Sequence, residues 1–412
     1  MTGLAPRIGD PFRVGVNYWP RRKAMGWWKD FDRNEVSGEF EIMADLGLSL
    51  VRIFLLWEDF QPRPDVISEP ALGDLAWACD AATRRGLGLD VTFFTGHMSG
   101  PNWAPPWLLG GREPVPGGRQ VVCAGDPDAG SYRNVFVDPE AIEAASLLVR
   151  TVVGRLHEHP AIWAWNLGNE PDLFALPPDD VTGPAWLARL AGDIRERDEA
   201  HAVTIGLHAD SLLADNGLRI DRMFGDCDLA AMHAYPIYSD LASGPADPDY
   251  MPFMTALTAS LSGRPTLAEE FGACTAPPGE PTQTWEWTTR GSLRHQVMLS
   301  EEDLAAHLEE VLPRLVEVGA VGALLWCFSD YDPDLWDQPP CDTMRHERHF
   351  GLLRADASEK PHAKVVRDFI ATDPRVAAPS ARARMPVDGE AFYADPGAAL
   401  PSLLRDFRQA AR

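Results

Sequence analysis

Apolar, β-rich runs return along the chain at Arg13–Trp19, Leu50–Trp57, Leu89–Thr95, Ile162–Asn169, Ala202–Leu207, Leu229–Tyr235, Thr266–Phe271 and Ala323–Phe328. Stretches with helical spacing separate them: Val36–Leu46, Ala71–Arg85, Pro139–His157, Trp186–Arg197, Pro252–Leu261 and Glu301–Val318, with a last one at Lys360–Ala371. Strands that read as nearly continuous apolar runs are buried on both faces, as in a parallel sheet sheathed by helices. Eight β-then-α units predict an α/β fold, a (β/α)8 TIM barrel.

Four connections are longer than such links usually are: about Gly96–Asn134, Pro236–Tyr250, Gly272–Leu299 and Ser329–Phe350. Each follows a predicted strand, so each belongs to the face on which barrels build their sites, and these loops are expected to wall a pocket. The barrel is expected over residues 1–375. Residues 376–412, with a Pro/Ala/Arg stretch at Val376–Arg384 and an amphipathic segment near Leu403–Phe407, form a C-terminal arm packed on it, too short for a core of its own.

Composition narrows the partners. The 412 residues are 45% hydrophobic and 24% charged, the balance of a globular chain. A net charge of −24, spread along the sequence, opposes binding to phosphate backbones or anionic membranes. Neither nucleic acid nor membrane is expected as a partner, and the oligomeric state is left open. No run is long and apolar enough to span a bilayer, and the start, MTGLAPRIGDPFRVG, lacks a secretory pattern, so a cytoplasmic location is expected. Six scattered cysteines form no C-x-x-C pair and are expected to be free thiols.

Polar side chains gather where strands end. The fourth run closes Asn169-Glu170-Pro171 and the seventh reads Ala268-Glu269-Glu270-Phe271-Gly272. Two opposed carboxyl groups are what glycosidic cleavage needs, one to protonate the leaving oxygen and one to attack or activate water at the anomeric carbon. Beside them stand Arg52 on the second run, His97 after the third, His233 and Tyr235 on the sixth, and Trp326 on the eighth. Alternation along a strand sends Glu269 and Glu270 to opposite faces and does not say which points inward.

Asn169-Glu170-Pro171, His233-x-Tyr235, Glu270-Phe271-Gly272 and Trp326, in that order, resemble glycoside hydrolase family 5 of the clan A barrels, over roughly Gly15 to Phe369. The resemblance implies that Glu170 is the acid/base and Glu270, favoured over Glu269 by the Glu-Phe-Gly match, the nucleophile of a retaining double displacement. It implies that Asn169 binds the sugar 2-hydroxyl, that Tyr235 and Arg52 orient the nucleophile, that His233 supports the acid/base or the substrate, and that Trp326 floors the subsite of the departing ring. A general acid must hold its proton near neutrality, so Glu170 is expected to be raised and Glu270 to stay ionised.

Fourteen tryptophans offer faces for sugar rings. Trp163, Trp165, Trp77 and Trp186 read as core, whereas Trp19, Trp57, Trp103, Trp285, Trp287 and Trp336 are candidates for subsite walls. Trp57-Glu58-Asp59-Phe60-Gln61-Pro62 resembles a stretch of exo-acting β-mannosidases. With the expected location, it points to exo-action on short β-linked oligosaccharides, foremost β-mannosides. The alternatives are an endo-β-1,4-mannanase or glucanase, a transglycosidase, or a barrel that binds carbohydrate without cleaving it. His346-x-x-His349 and His157-x-His159 have metal-compatible spacings but no third ligand at a motif spacing, so no metal is expected. Without a glycine-rich nucleotide signature, no organic cofactor is expected either.

Overall fold

A computed structural model of the chain describes residues 4–410. Eight parallel strands close a barrel: β1 (Arg13–Tyr18), β2 (Leu50–Phe54), β3 (Gly88–Thr92), β4 (Ile162–Asn169), β5 (Ala202–His208), β6 (Ala230–His233), β7 (Thr266–Phe271) and β8 (Gly322–Leu325). Each strand pairs with its neighbours in sequence, and β8 returns to β1 with Val14 opposite Ala323. This is the (β/α)8 architecture that the alternating pattern predicts.

The strands are buried almost throughout because helices cover their outer faces. Those helices start where a short polar side chain can accept the free N–H groups of the first turn. Asp32, Ser68, Asp138 and Ser300 do so for Arg33–Asp45, Glu69–Arg84, Pro139–Leu156 and Glu301–Glu317. The strand starts are plugged by an apolar cluster that includes Leu50, Leu229, Leu267, Leu324 and Val376. That end is therefore closed, and the opposite end carries the cleft.

The long loops have structure of their own. Within the stretch after β7, Gln283–Thr289 and Ser292–Met298 form an antiparallel hairpin, with Trp287 opposite Arg294. Its first strand alternates exposed and half-buried residues and its second opens on four exposed ones, which is why they read as loop beside the uniformly apolar barrel strands. The segment after residue 375 is helical at Gly389–Ala394 and Pro396–Ala410. Phe407 packs 5.6 Å from Phe253 on the barrel's outer shell, and Arg382 bridges Asp249 and Glu317. All six cysteines are buried and free.

Candidate active site

The strand ends place the candidate carboxyls by two irregularities. In β4 the register against β5 slips between Asn166 and Asn169, and Gly168 has φ +157°. Glu170 then sits at φ +47°, a left-handed conformation that a non-glycine residue holds only where its surroundings fix it. The slip turns Asn169 and Glu170 over the barrel mouth. In β7 the register slips again: Met232 faces Ala268 but His233 faces Glu270. The extra residue breaks the alternation, so Glu269 and Glu270 both enter the barrel, at two depths. The sequence expectation that one of the pair faces outward is thereby corrected.

Glu269 forms the lower tier. It is fully buried, accepts from Asn166 Nδ2 at 2.9 Å, lies 2.8 Å from His233 Nε2 and pairs with Arg52 Nη2 at 3.2 Å. Arg52 reaches upward with Nη1 to Glu270 Oε1, and Tyr235 donates its hydroxyl to Glu270 Oε2 at 3.0 Å. Nδ1 of His233 lies 3.0 Å from Glu170 Oε1, so the imidazole joins the two tiers. Gly206 of β5 makes room for this: a Cβ there would stand 2.4 Å from Glu269 Oε2 and 2.7 Å from His233 Nε2.

His97 approaches Glu170 from the other side, Nε2 to Oε2 at 3.7 Å. Its ring is fixed by Nδ1 against Asn102 Oδ1 at 2.7 Å, and Asn102 in turn donates to the Tyr132 hydroxyl. Asn169 donates through Nδ2 to the His97 carbonyl, and its Oδ1 is buried with no donor among the described residues. Asn169, Glu170, Tyr235, Glu270 and Trp326 are among the residues lining a cleft of about 730 Å³.

Electrostatics depart from the sequence expectation. Burial opposes charge on Glu170, but the His233 hydrogen bond and the charges of His208, His233 and His97 outweigh it and hold the carboxyl below the usual range. Burial pushes Glu270 up to about 7, with the neighbouring Glu170 charge adding to it against His233 and Arg52. Burial also disfavours the His233 imidazolium, yet Glu270, Glu170 and Glu269 together raise it to about 10. The order of the two carboxyls is thus the reverse of the one expected, because His233 donates to Glu170.

Other residues fall outside the cleft lining. Trp57, expected there, is buried at the start of a helical turn, donating Nε1 to Gln61 Oε1 and packing edge-on to Phe94 and Trp107. Trp103 is buried with Nε1 on the Met98 carbonyl. Trp19 stacks on Phe54, while Trp285 and Trp336 pack against His349. Of these wall candidates, Trp287 is the one that lines the cleft. At strand ends an indole can turn either to the helical shell or to the axis, and in the long connections its partner is set by how the loop folds; the sequence carries no sign of either.

Several participants went unread in the sequence: Asp90, Asn166 and Gly206 below the carboxyls, and His208 with Asp210 at the rim. Asp90 did leave a signal, an acid inside the apolar run Leu89-Asp90-Val91. It is fully buried, and burial together with Glu269 raises it well above the usual carboxylate range.

Among the described residues, Glu170, His233 and Glu270 form the one group whose donor atoms could hold a metal ion, all lying within 4.8 Å of one another. The histidines with metal-like spacing do not: His159 meets Asp80, and His349 lies 3.9 Å from Asp330. No helix of the described residues is long and apolar enough to cross a membrane.

No family model matches the chain. It is 26% identical over 308 residues to the "Putative mannan endo-1,4-beta-mannosidase 5" of Oryza sativa subsp. japonica, covering 65% of this chain and 59% of the relative. A second rice protein, "Putative mannan endo-1,4-beta-mannosidase 9", is 25% identical over 65% of this chain and 71% of its own length. The chain thus spans less than two thirds of the first of these relatives. Among solved structures, the exo-beta-1,4-mannosidase Op5Man5 from Opitutaceae bacterium strain TAV5 superposes with a TM-score of 0.71 at 25% identity, over 90% of this chain and 62% of that one. The fold is also that of GH5_18 from Streptomyces cattleya, solved with GlcNAc, at a TM-score of 0.77 and 22% identity over 98% and 92% of the two chains. The chain is thus similar in sequence and fold to the clan A glycosidases of glycoside hydrolase family 5.

Proposed function

We propose that the chain is a retaining exo-β-glycosidase that removes terminal sugars from short β-linked oligosaccharides, β-mannosides foremost. The observation that carries this reading is the opposition of Glu170 and Glu270, each offering an oxygen within 4.8 Å of the other across the cleft. Retaining glycosidases hold their carboxyls about 5–5.5 Å apart, and inverting ones about 6.5–9.5 Å apart to admit a water.

In this reading Glu170 gives its proton to the glycosidic oxygen as Glu270 attacks the anomeric carbon, forming a glycosyl ester and freeing the leaving sugar. Glu170 then takes a proton from water, which breaks the ester and restores Glu270. Arg52 and Tyr235 aim Glu270 by binding one oxygen each. The 3.0 Å contact from His233 Nδ1 orients Glu170. Asn169 Oδ1, with no donor among the described residues, suits a sugar hydroxyl. Trp326 lines the same space as an apolar surface for a ring. No step draws on a cofactor.

Exo-action is supported by the Op5Man5 likeness and by the loop walls, whereas the names of the rice relatives favour endo-cleavage of mannan. A panel of aryl β-glycosides, followed by mannooligosaccharides, tests the reading. Release of monosaccharide, mannose first, is expected. Mixed oligomers cut from within a long mannan overturn exo-action, disaccharide formation with an acceptor sugar identifies transglycosylation, and absence of turnover on every substrate leaves only a binding barrel.

A further inference from the structure

Glu347 is a buried carboxyl at the cleft with no use in the chemistry above. It lies on the turn Arg345–His349, in the connection after β8, and is 7% exposed. Its Oε1 lies 3.4 Å from His346 Nε2 and the Tyr238 phenol stands beside the carboxyl, whereas its Oε2 and the Nδ1 of His346 are buried without a hydrogen-bond partner among the described residues. Both residues line the cleft that Glu170 and Glu270 share. Leaving a buried acceptor unpaired costs about 1–3 kcal/mol, so a hydroxyl donor brought to Glu347 from the cleft would be stabilised there.

The position says which part of a ligand. His346, next to Glu347, has its ring 6.1 Å from that of Tyr238, which lies 5.6 Å from the ring of Tyr235, the partner of Glu270. His97 and His208 lie by contrast at Glu170. Glu347 therefore stands beyond Tyr235 on its side of the cleft, at a distance from the reacting carboxyls. Around it Trp287 and Phe350 stand 5.7 and 6.2 Å from the His346 ring, apolar walls beside a polar floor. On a pyranose held at its anomeric carbon by Glu270, the hydroxyls at C3 and C4 are the ones farthest across the ring.

We propose that Glu347 determines specificity by accepting a hydrogen bond from the C3 or C4 hydroxyl of the non-reducing terminal sugar, with His346 as the second contact. This deepens the glycosidase reading and rests on it. In a β-1,4-linked chain the C4 oxygen of an internal sugar is bonded onward and has no proton to donate, so Glu347 would select chain ends.

The test compares an aryl β-mannoside with its 3-deoxy, 4-deoxy and 4-O-methyl analogues, on the wild type and on Glu347→Gln and Glu347→Ala. On the wild type, kcat/KM for a deoxy analogue is expected to fall roughly tenfold to a hundredfold. In Glu347→Ala the parent is expected to fall and the gap between parent and deoxy analogue to close to about twofold. The inference is overturned if the wild type treats all analogues as it treats the parent, or if the variant slows parent and analogues by one common factor. Should the variants fail to fold, the wild type alone decides, because acceptance of the 3-deoxy and 4-deoxy sugars at parental rates overturns the contact. A wild type that cleaves no aryl glycoside at all sinks the glycosidase reading itself, a result distinct from cleavage without discrimination.

Discussion

His233 Nδ1 lies 3.0 Å from Glu170 Oε1, and through this contact the imidazole sets the charge of the carboxyl proposed as acid/base. The ring's other nitrogen faces Glu269 at 2.8 Å, so both nitrogens point at carboxyls and the imidazolium is the favoured form. Arg52 and His233 together face four acidic groups, Asp90, Glu170, Glu269 and Glu270. Such a cluster must retain protons, and where they reside governs the chemistry.

The pH profile follows from that proton. Two carboxyls in one site lose their protons in two steps, and the form proposed to react holds one proton and one charge. Activity should rise with pH through the lower step and decline as pH climbs past about 7, where burial and Glu170 place the loss of the last shared proton. His233 lowers both carboxyls, so His233→Gln should shift the declining limb of kcat/KM to higher pH. A limb that stays in place in that variant counts against the arrangement.

The two neighbouring glutamates should separate cleanly. Glu270→Gly is expected to abolish turnover, with partial rescue by azide filling the vacated space. Glu269→Gln keeps the reacting carboxyls but removes the charge that Arg52 and His233 face; breaking a buried pair this way costs about 3–5 kcal/mol, read as a lowered midpoint in urea. Azide rescue of Glu269→Gly but not of Glu270→Gly reverses the assignment.

Gly206→Ala tests the packing beneath the site. The added methyl would meet Glu269, Arg52 and His233 at 2.4–2.7 Å, so the side chains must shift. A misplacement of about 1 Å at reacting groups can cost on the order of a hundredfold in kcat. We expect that loss with an unchanged far-ultraviolet spectrum, and near-normal kcat would show that the tier has slack.

Chelators should leave turnover unchanged, since the proposed steps use carboxyl and imidazole protons alone. The Glu170–His233–Glu270 group could nevertheless accept an added divalent ion, which would occupy both reacting carboxyls and inhibit. Loss of activity on chelation, restored by zinc, would replace the double displacement with metal chemistry.

The barrel and the list of polar side chains at its mouth were legible in the amino-acid pattern. Parallel strands buried on both faces must be written as apolar runs, and a charged or amide residue ending such a run, as in Asn169-Glu170-Pro171, stands out because burial makes it expensive anywhere else. Tertiary structure decided what those residues do to one another. The slip in β7 that brings Glu269 under Glu270, the burial of Trp57 and Trp103 in the shell, and the approach of His233 to Glu170 depend on register and on contacts between strands distant in the chain. Glu347 was hidden for the same reason: an acid in a polar loop looks solvated until the fold closes over it. Local pattern records whether a side chain is buried or exposed along its own element, and a charge's protonation or a ring's partner is set by atoms that only folding brings near.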